Sequence, residues 1–382
     1  MKGSPTRLSF NRNEWAGAFG DLGTDLPLLV GLTLSCNLDG GSVLAVFGAL
    51  QIATALAYRM PMPVQPLKAM AAIAIAQKLP GPVIAGAGTA IGLLMLALSA
   101  GGLLDALARA VPKTVVRAVQ FGLGLQLASL AAREFLPAAG AAGWCLAAAS
   151  AAVVIALLGS ARLPPALVVV GLGLVYALLT KLSTASLISG FGFRLPGFAV
   201  ASGADMISGF ILLALPQLPL SLANSVLATR QTSLDLFPER APSVRKIGLT
   251  YAAMNLVAPL FGGIPVCHGS GGMAGHYAFG ARTGGSVAVY GLMFLGLGLF
   301  FSGAFNDVVA AFPRPTLGVL LGFEGLALMS LARDQASDSA DFALVLLLGV
   351  IAAFTPYGYL TALIAGTLLH ALKPRLGLKS LR

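Results

Sequence analysis

Apolar segments of helix length recur along the chain from Trp15 to Leu372. They fall at 15–34, 42–58, 64–78, 82–104, 113–132, 143–160 and 164–181. After the Gly-rich stretch "STASLISGFGFRLPGFAVASGAD" they resume at 207–228, 245–262, 266–280, 285–303, 315–332, 341–354 and 357–372. Of the 382 residues, 57% are hydrophobic and only 10% charged, too little charge to cover a soluble protein of this size. The expected fold class is an all-α polytopic membrane protein of 14 transmembrane segments.

The N-terminus stays polar up to Glu14, with no cleavage site after a short apolar core, so the first helix is expected to direct insertion. No soluble domain is expected after the last helix. Cys36, Cys145 and Cys267 are too few and too scattered for a disulfide framework or a metal site, so no metal and no cofactor is expected. The net charge of +10 does not gather into a basic patch with interleaved aromatics, which argues against nucleic acid as a partner. It fits topology instead. With both termini cytoplasmic, most of the 24 lysines and arginines fall on the inner side. Lys78, Arg133, Lys181, Arg194 and Arg314 then lie outside, and Lys68 is left within the membrane. The expected location is the cell (inner) membrane, multi-pass, with the lipid bilayer as surroundings.

The seven-plus-seven grouping suggests a chain written twice, as repeats 1–190 and 207–382. "GLGLQLASLA" from Gly122 answers "FEGLALMSLA" from Phe323, so that Gly124 matches Gly325 and Ser129 matches Ser330. "VPK" at Val111 answers "FPR" at Phe312, "MPVQP" at Met62 answers "IPVCH" at Ile264, and "DLPLL" at Asp25 answers "QLPLS" at Gln217. The four matches keep one order. An odd number of helices per repeat turns the second copy upside down, which is the inverted-repeat plan of secondary transporters.

Both repeats break at their third run. Pro61, Pro63 and Pro66 cannot lie inside a continuous helix, so an extended approach is expected to lead into a helix starting at membrane depth, with Pro66 in its first turn. "GGIPVCHGSGGMAGHYAFG" breaks at the matching place with glycines. Non-helical backbone at that depth must be enclosed by protein or line a watery cavity. Two half-helices would then aim their N-termini, with unpaired N–H groups and positive dipole ends, at one central anion site. Lys68 and His268 stand at those ends. Plain proline kinks, with Lys68 snorkelling to the headgroups, are the competing reading.

Acids within the membrane point to function or to a paired cation. Asp21 and Asp25 come early in the first run, with Pro27 expected to break it, and Glu324 lies in the middle of the twelfth. Three carboxylates against Lys68 would repel an anion unless protons or sodium neutralise them, so coupling to a cation gradient is inferred. Protons are preferred, since surroundings of low polarity favour a neutral acid. Helix capping by Asp21 and a structural pair for Glu324 are the alternatives. Gln217, Asn224, Gln120 and Gln126 are neutral groups for the cavity or for bonds between helices.

"FGDLGTDLPLLVGL", "MPVQPLKAMAAIA" and "IPVCHGSGGMAGHYAFGARTG" resemble the signature stretches of the molybdate transporter family, a branch of the sulfate permease superfamily, and the resemblance runs over nearly the whole chain. It implies uptake of molybdate, a uracil permease-like fold of 7+7 helices and no C-terminal regulatory domain. It further implies a core domain of helices 1–4 and 8–11, a gate domain of helices 5–7 and 12–14, and a homodimer by analogy with relatives in fold. The implied substrate-binding positions are Val64, Gln65 and Pro66 with His268, Gly269, Ser270 and Gly271. Glu324 has no clear counterpart in the eukaryotic members. A sulfate carrier on the same fold is the main alternative, because sulfate and molybdate are both tetrahedral dianions. A nucleobase permease would want an acid where Gln65 and His268 stand. A membrane enzyme using the Cys, His and Ser of "CHGSGG" lacks an adjoining acid to orient the base.

Overall fold

The structure, a computed structural model, describes residues 7–158, 165–181, 188 and 190–372. Both chain termini, on which the expected orientation turns, lie outside the described residues, as does part of the stretch between the two groups of runs.

The first group folds as α1 (Arg12–Ala18), α2 (Leu22–Cys36), α3 (Gly40–Tyr58), β1 (Val64–Pro66), α4 (Lys68–Gln77), α5 (Gly81–Ala100), α6 (Leu103–Ala110), α7 (Lys113–Leu130), α8 (Gly140–Ala156) and α9 (Pro165–Thr180). The second begins with α10 (Gly203–Gly209), α11 (Leu215–Leu220) and α12 (Thr229–Leu236), joined into one helical path by π-helical turns at Phe210–Ala214 and Ser221–Ala228. It continues with α13 (Val244–Val257), β2 (Val266–His268), α14 (Ser270–Ala278), α15 (Gly285–Phe300), α16 (Ser302–Ala311), α17 (Arg314–Ser330), α18 (Ser339–Phe354) and α19 (Gly358–Leu372). Local chemistry marks the ends. Asp39 accepts from the Ser42 amide at the start of α3, Ser243 from the Lys246 amide at the start of α13, and Ser202 with Asp205 forms a reciprocal cap on α10.

The molecule is mostly helical, and every apolar run read from the sequence contains helix. Among the described residues, five helical stretches are long and apolar enough to cross a membrane: Gly40–Tyr58, Gly81–Ala100, Lys113–Ala156, Gly203–Leu220 and Arg314–Gln335. The other apolar helices are shorter. Two local expectations change. The first run breaks at Phe19–Asp21, where Gly20 lies against the Gly275 backbone, while Pro27 is absorbed inside α2. Pro66 belongs to the strand, and α4 starts two residues later at Lys68.

Both broken runs hold half-length helices. At 1.5 Å per residue, the 10 residues of α4 and the 9 of α14 reach about 15 Å, half of a bilayer's hydrocarbon core. Each follows a three-residue strand, and the strands pair antiparallel: Val64 with His268, Gln65 with Cys267, Pro66 with Val266. This register is what a local two-fold axis between Gln65 and Cys267 requires, since the matched "PVQP" and "PVCH" words face each other in reverse. Gly124 and Gly325, aligned in the sequence, likewise meet: a Cβ on either would press on the other's carbonyl oxygen, at 2.5 and 2.6 Å. Close backbone approach through small residues is the usual means of packing helices in lipid.

A two-stranded ribbon leaves outer backbone groups unpaired, and buried ones must find partners. Two side-chain amides supply them. Gln51 of α3 donates to the Val64 carbonyl at 2.7 Å and accepts from the Val64 amide at 2.8 Å. Asn255 of α13 donates to the Val266 carbonyl at 2.6 Å and accepts from the Val266 amide at 2.9 Å. All four residues are buried. Gln51→Leu and Asn255→Leu should each cost on the order of 2 kcal/mol, because each orphans a buried amide and a buried carbonyl. Similar losses of thermal stability in detergent-solubilised protein check this; a loss at only one position would break the equivalence of the two clamps.

Candidate functional site

The ribbon brings the N-termini of α4 and α14 to opposite sides of one buried centre, where the polar side chains of α2, the α11–α12 path and α17 converge. The two helix ends differ. At α4, the Gln217 side-chain oxygen accepts from the Ala69 amide at 3.0 Å and the Met70 amide at 3.2 Å. Its amide group donates to Ser221, whose hydroxyl also bonds Tyr251 at 2.8 Å. The amides expected to be free for an anion at this end are therefore engaged by the protein itself. Among the described residues, no side chain accepts from the first amides of α14, whose N-cap residue is Gly269. Ser270 donates from its hydroxyl to Asn224 at 3.2 Å, and a Cβ on Gly271 would meet nothing within 4 Å.

The glycines around Gly271 are set by neighbours. A Cβ on Gly269 would overlap the Gln65 amide, and one on Gly272 would overlap the Asp21 carboxylate. Gln65 itself donates to both Asp21 oxygens, at 2.6 and 2.8 Å, while its own oxygen has no partner. The acid at residue 21 thus sits against the first turn of α14, where the helix dipole favours negative charge.

Lys68 and Glu324 form an ion pair, with their side chains only 7% and 17% exposed. The other Glu324 oxygen accepts from the Thr24 hydroxyl at 3.1 Å. Asp25, fully buried, accepts from the Tyr290 hydroxyl at 3.1 Å, and its second oxygen has no partner. The His268 side chain leaves the ribbon towards α13 and α3: Nε2 lies 2.7 Å from the Thr250 hydroxyl, and the ring meets Tyr58 edge-on at 5.2 Å. Val64 and Pro66 contribute backbone and shape to the ribbon. Gln120 accepts from Arg117 and Gln126 from Tyr359, at 2.8 and 2.6 Å, so both join neighbouring groups away from the ribbon. No cluster of three or more potential metal ligands occurs among the described residues.

Sequence reasoning missed Thr24, Tyr290 and the two clamping amides. Gln51 and Asn255 had a signal: each is a lone amide in an apolar helix one element before a broken run. Glu14 was also missed. Its carboxylate accepts from the backbone amides of Arg282 and Thr283, at 2.9 and 2.8 Å, and of Ser286 at 2.9 Å. That explains the "FGARTG" stretch as a turn folded around a buried acid at the start of α15.

The architecture has solved counterparts. The transmembrane domain of a cyanobacterium bicarbonate transporter, BicA, superposes with a TM-score of 0.67 at 16% identity, covering 91% of this chain and 98% of that one. The murine Slc26a9 anion transporter in its inward-facing state gives 0.68 at 12% identity, over 97% of this chain and 69% of that one. The fold is thus the one shared by the BicA transmembrane domain and Slc26a9. The profile described as "Molybdate transporter of MFS superfamily" matches residues 13–127 and 209–328. "Molybdate transporter 2" of Arabidopsis thaliana is 35% identical over 378 residues, covering 86% of this chain and 81% of its own length. The chain belongs to the molybdate transporter family; it is a membrane transporter and not an enzyme.

The glycine geometry makes a sharp contrast. Gly272→Ala should push Asp21 off Gln65 and lower thermal stability by about 1–3 kcal/mol, as overpacking of a tight site does. Gly271→Ala should leave stability unchanged. Unfolding curves of the two purified variants measure this, and equal losses would refute the assignment of Gly271 to open space.

Proposed function

We propose that the protein imports molybdate by secondary active transport, with the oxyanion held between the N-termini of α4 and α14. The observation that carries this reading is the strand ribbon, which joins two half-helix ends around Lys68, the one buried lysine among the described residues. On this reading Val64, Gln65 and Pro66 line one side, and His268, Gly269, Ser270 and Gly271 the other. The open space at Gly271 and the uncapped amides of α14 favour that helix as the main anion-facing end. Lys68 supplies the countercharge. The paired words in the sequence, the local two-fold at Gln65 and Cys267 and the meeting of Gly124 with Gly325 support an inverted repeat. They also support a core domain built from α1–α5 and α10–α15 and a gate domain built from α7–α9 and α17–α19. The membrane is the cell membrane, with both termini cytoplasmic.

Energy sets the need for coupling. A dianion entering a cell climbs the membrane potential at about 2.3 kcal/mol per charge per 100 mV, so about 4.6 kcal/mol opposes it. Two or more co-transported cations cancel that cost. Asp21, at the start of α2, and Asp25, within it, border the anion site and are the groups to carry them, with protons preferred to sodium. In liposomes, an imposed gradient of the coupling cation should drive molybdate accumulation in wild type and fail to do so in Asp21→Asn. Uptake indifferent to both proton and sodium gradients would remove the coupling.

Substrate choice is read by competition. Excess sulfate should reduce molybdate uptake less than equal unlabelled molybdate does; the reverse order would make this a sulfate carrier. Lys68→Met keeps most of the side-chain stem but loses the cation, so molybdate affinity should fall at least about tenfold, or about 1.4 kcal/mol. Normal binding by Lys68→Met would leave Lys68 only a packing role.

A further inference from the structure

We propose that Glu324 is the resident anion of the empty carrier: it occupies Lys68 when no substrate is bound, and the oxyanion must displace it. The inference rests on the oxyanion site and the core and gate division given above. Among the described residues, Lys68 is the one lysine or arginine in the buried set. The three nearby carboxylates do not share it equally. Asp21 is held by Gln65 and Asp25 by Tyr290, whereas Glu324 takes the ammonium itself. A buried ammonium without a counter-anion costs several kcal/mol, so Lys68 keeps a partner at every stage. An oxyanion arriving at the half-helix ends needs the same ammonium. Glu324 and the substrate are thus alternatives at one cation.

The geometry gives that exchange a mechanical consequence. Lys68 and Thr24 belong to α4 and α2, on the core side, and Glu324 to α17, on the gate side. Both Glu324 oxygens are engaged across this seam, one by Lys68 and the other by Thr24. Without substrate, core and gate are tied. With substrate on Lys68, Glu324 is released and the tie is gone. The empty carrier should therefore reorient slowly and the loaded carrier quickly, so that substrate on the far side accelerates uptake.

Glu324→Gln tests this, since glutamine keeps the size and the Thr24 contact but is no longer an anion. Calorimetry with molybdate on the purified protein should show about tenfold tighter binding in Glu324→Gln. In a Lys68→Met background the same change should have no effect beyond about twofold. A gain of equal size in both backgrounds would mean simple through-space repulsion, and weaker binding in Glu324→Gln would mean a structural pair; either overturns the proposal. In liposomes, preloading with molybdate should accelerate uptake by wild type but not by Glu324→Gln, and acceleration retained in the variant would overturn it. A substrate-free readout separates this from a failure of the molybdate reading. Hydrogen exchange across α4 and α17 of ligand-free protein should quicken in Glu324→Gln, and to a smaller extent in Thr24→Val. Unchanged exchange in both would refute the tie, whichever oxyanion the wild type binds.

Discussion

Backbone that leaves the helix inside a membrane must have every N–H and C=O answered by protein, and the β1–β2 ribbon is where this chain meets that demand. Three residues on each side bond to each other, and their outer edges are taken by Gln51 and Asn255. Gln65, Lys68 and Ser270 are placed from there. The ribbon stops α4 and α14 at half length, fixes their ends opposite each other and sets Gln65 against Gly269. A continuous helix at either position would have sent Lys68 or Ser270 to another level of the bundle.

The glycines of "CHGSGG" show how such a centre is carved. Gly269 and Gly272 make room for Gln65 and Asp21, whereas Gly271 makes room for no side chain at all. That difference separates two uses of one residue type, packing and access. The first turn of α14 is lined on one flank by the Asp21 carboxylate and is open on another, at Gly271.

Charge balance is the second constraint. One ammonium serves a region holding three carboxylates, and neutral donors stand in for the missing cations: the Gln65 amide for Asp21, the Tyr290 hydroxyl for Asp25, the Thr24 hydroxyl for one oxygen of Glu324. Among the described residues, Lys68 is the one buried ammonium in that region, and Glu324 holds it.

The amino-acid order alone determined where helices run and that the third run of each group is broken, although Pro66 went to the strand and not to the first turn of α4. Apolar length and proline placement are local properties, and they carry that information directly. The matched words "PVQP" and "PVCH" even named the pair of segments that meet. The membrane-transporter class was legible in the same way. What only the tertiary structure decided is who answers whom. Gln217 caps α4 from a helical path 148 residues further on, and Glu324 reaches Lys68 across a separation of 256. Neither partner is visible in a local pattern, because a polar side chain in an apolar helix bonds to whatever packing brings near it. The break at Phe19–Asp21, in place of Pro27, has the same origin: Gly20 must touch the Gly275 backbone, a contact set by the crossing of two distant segments.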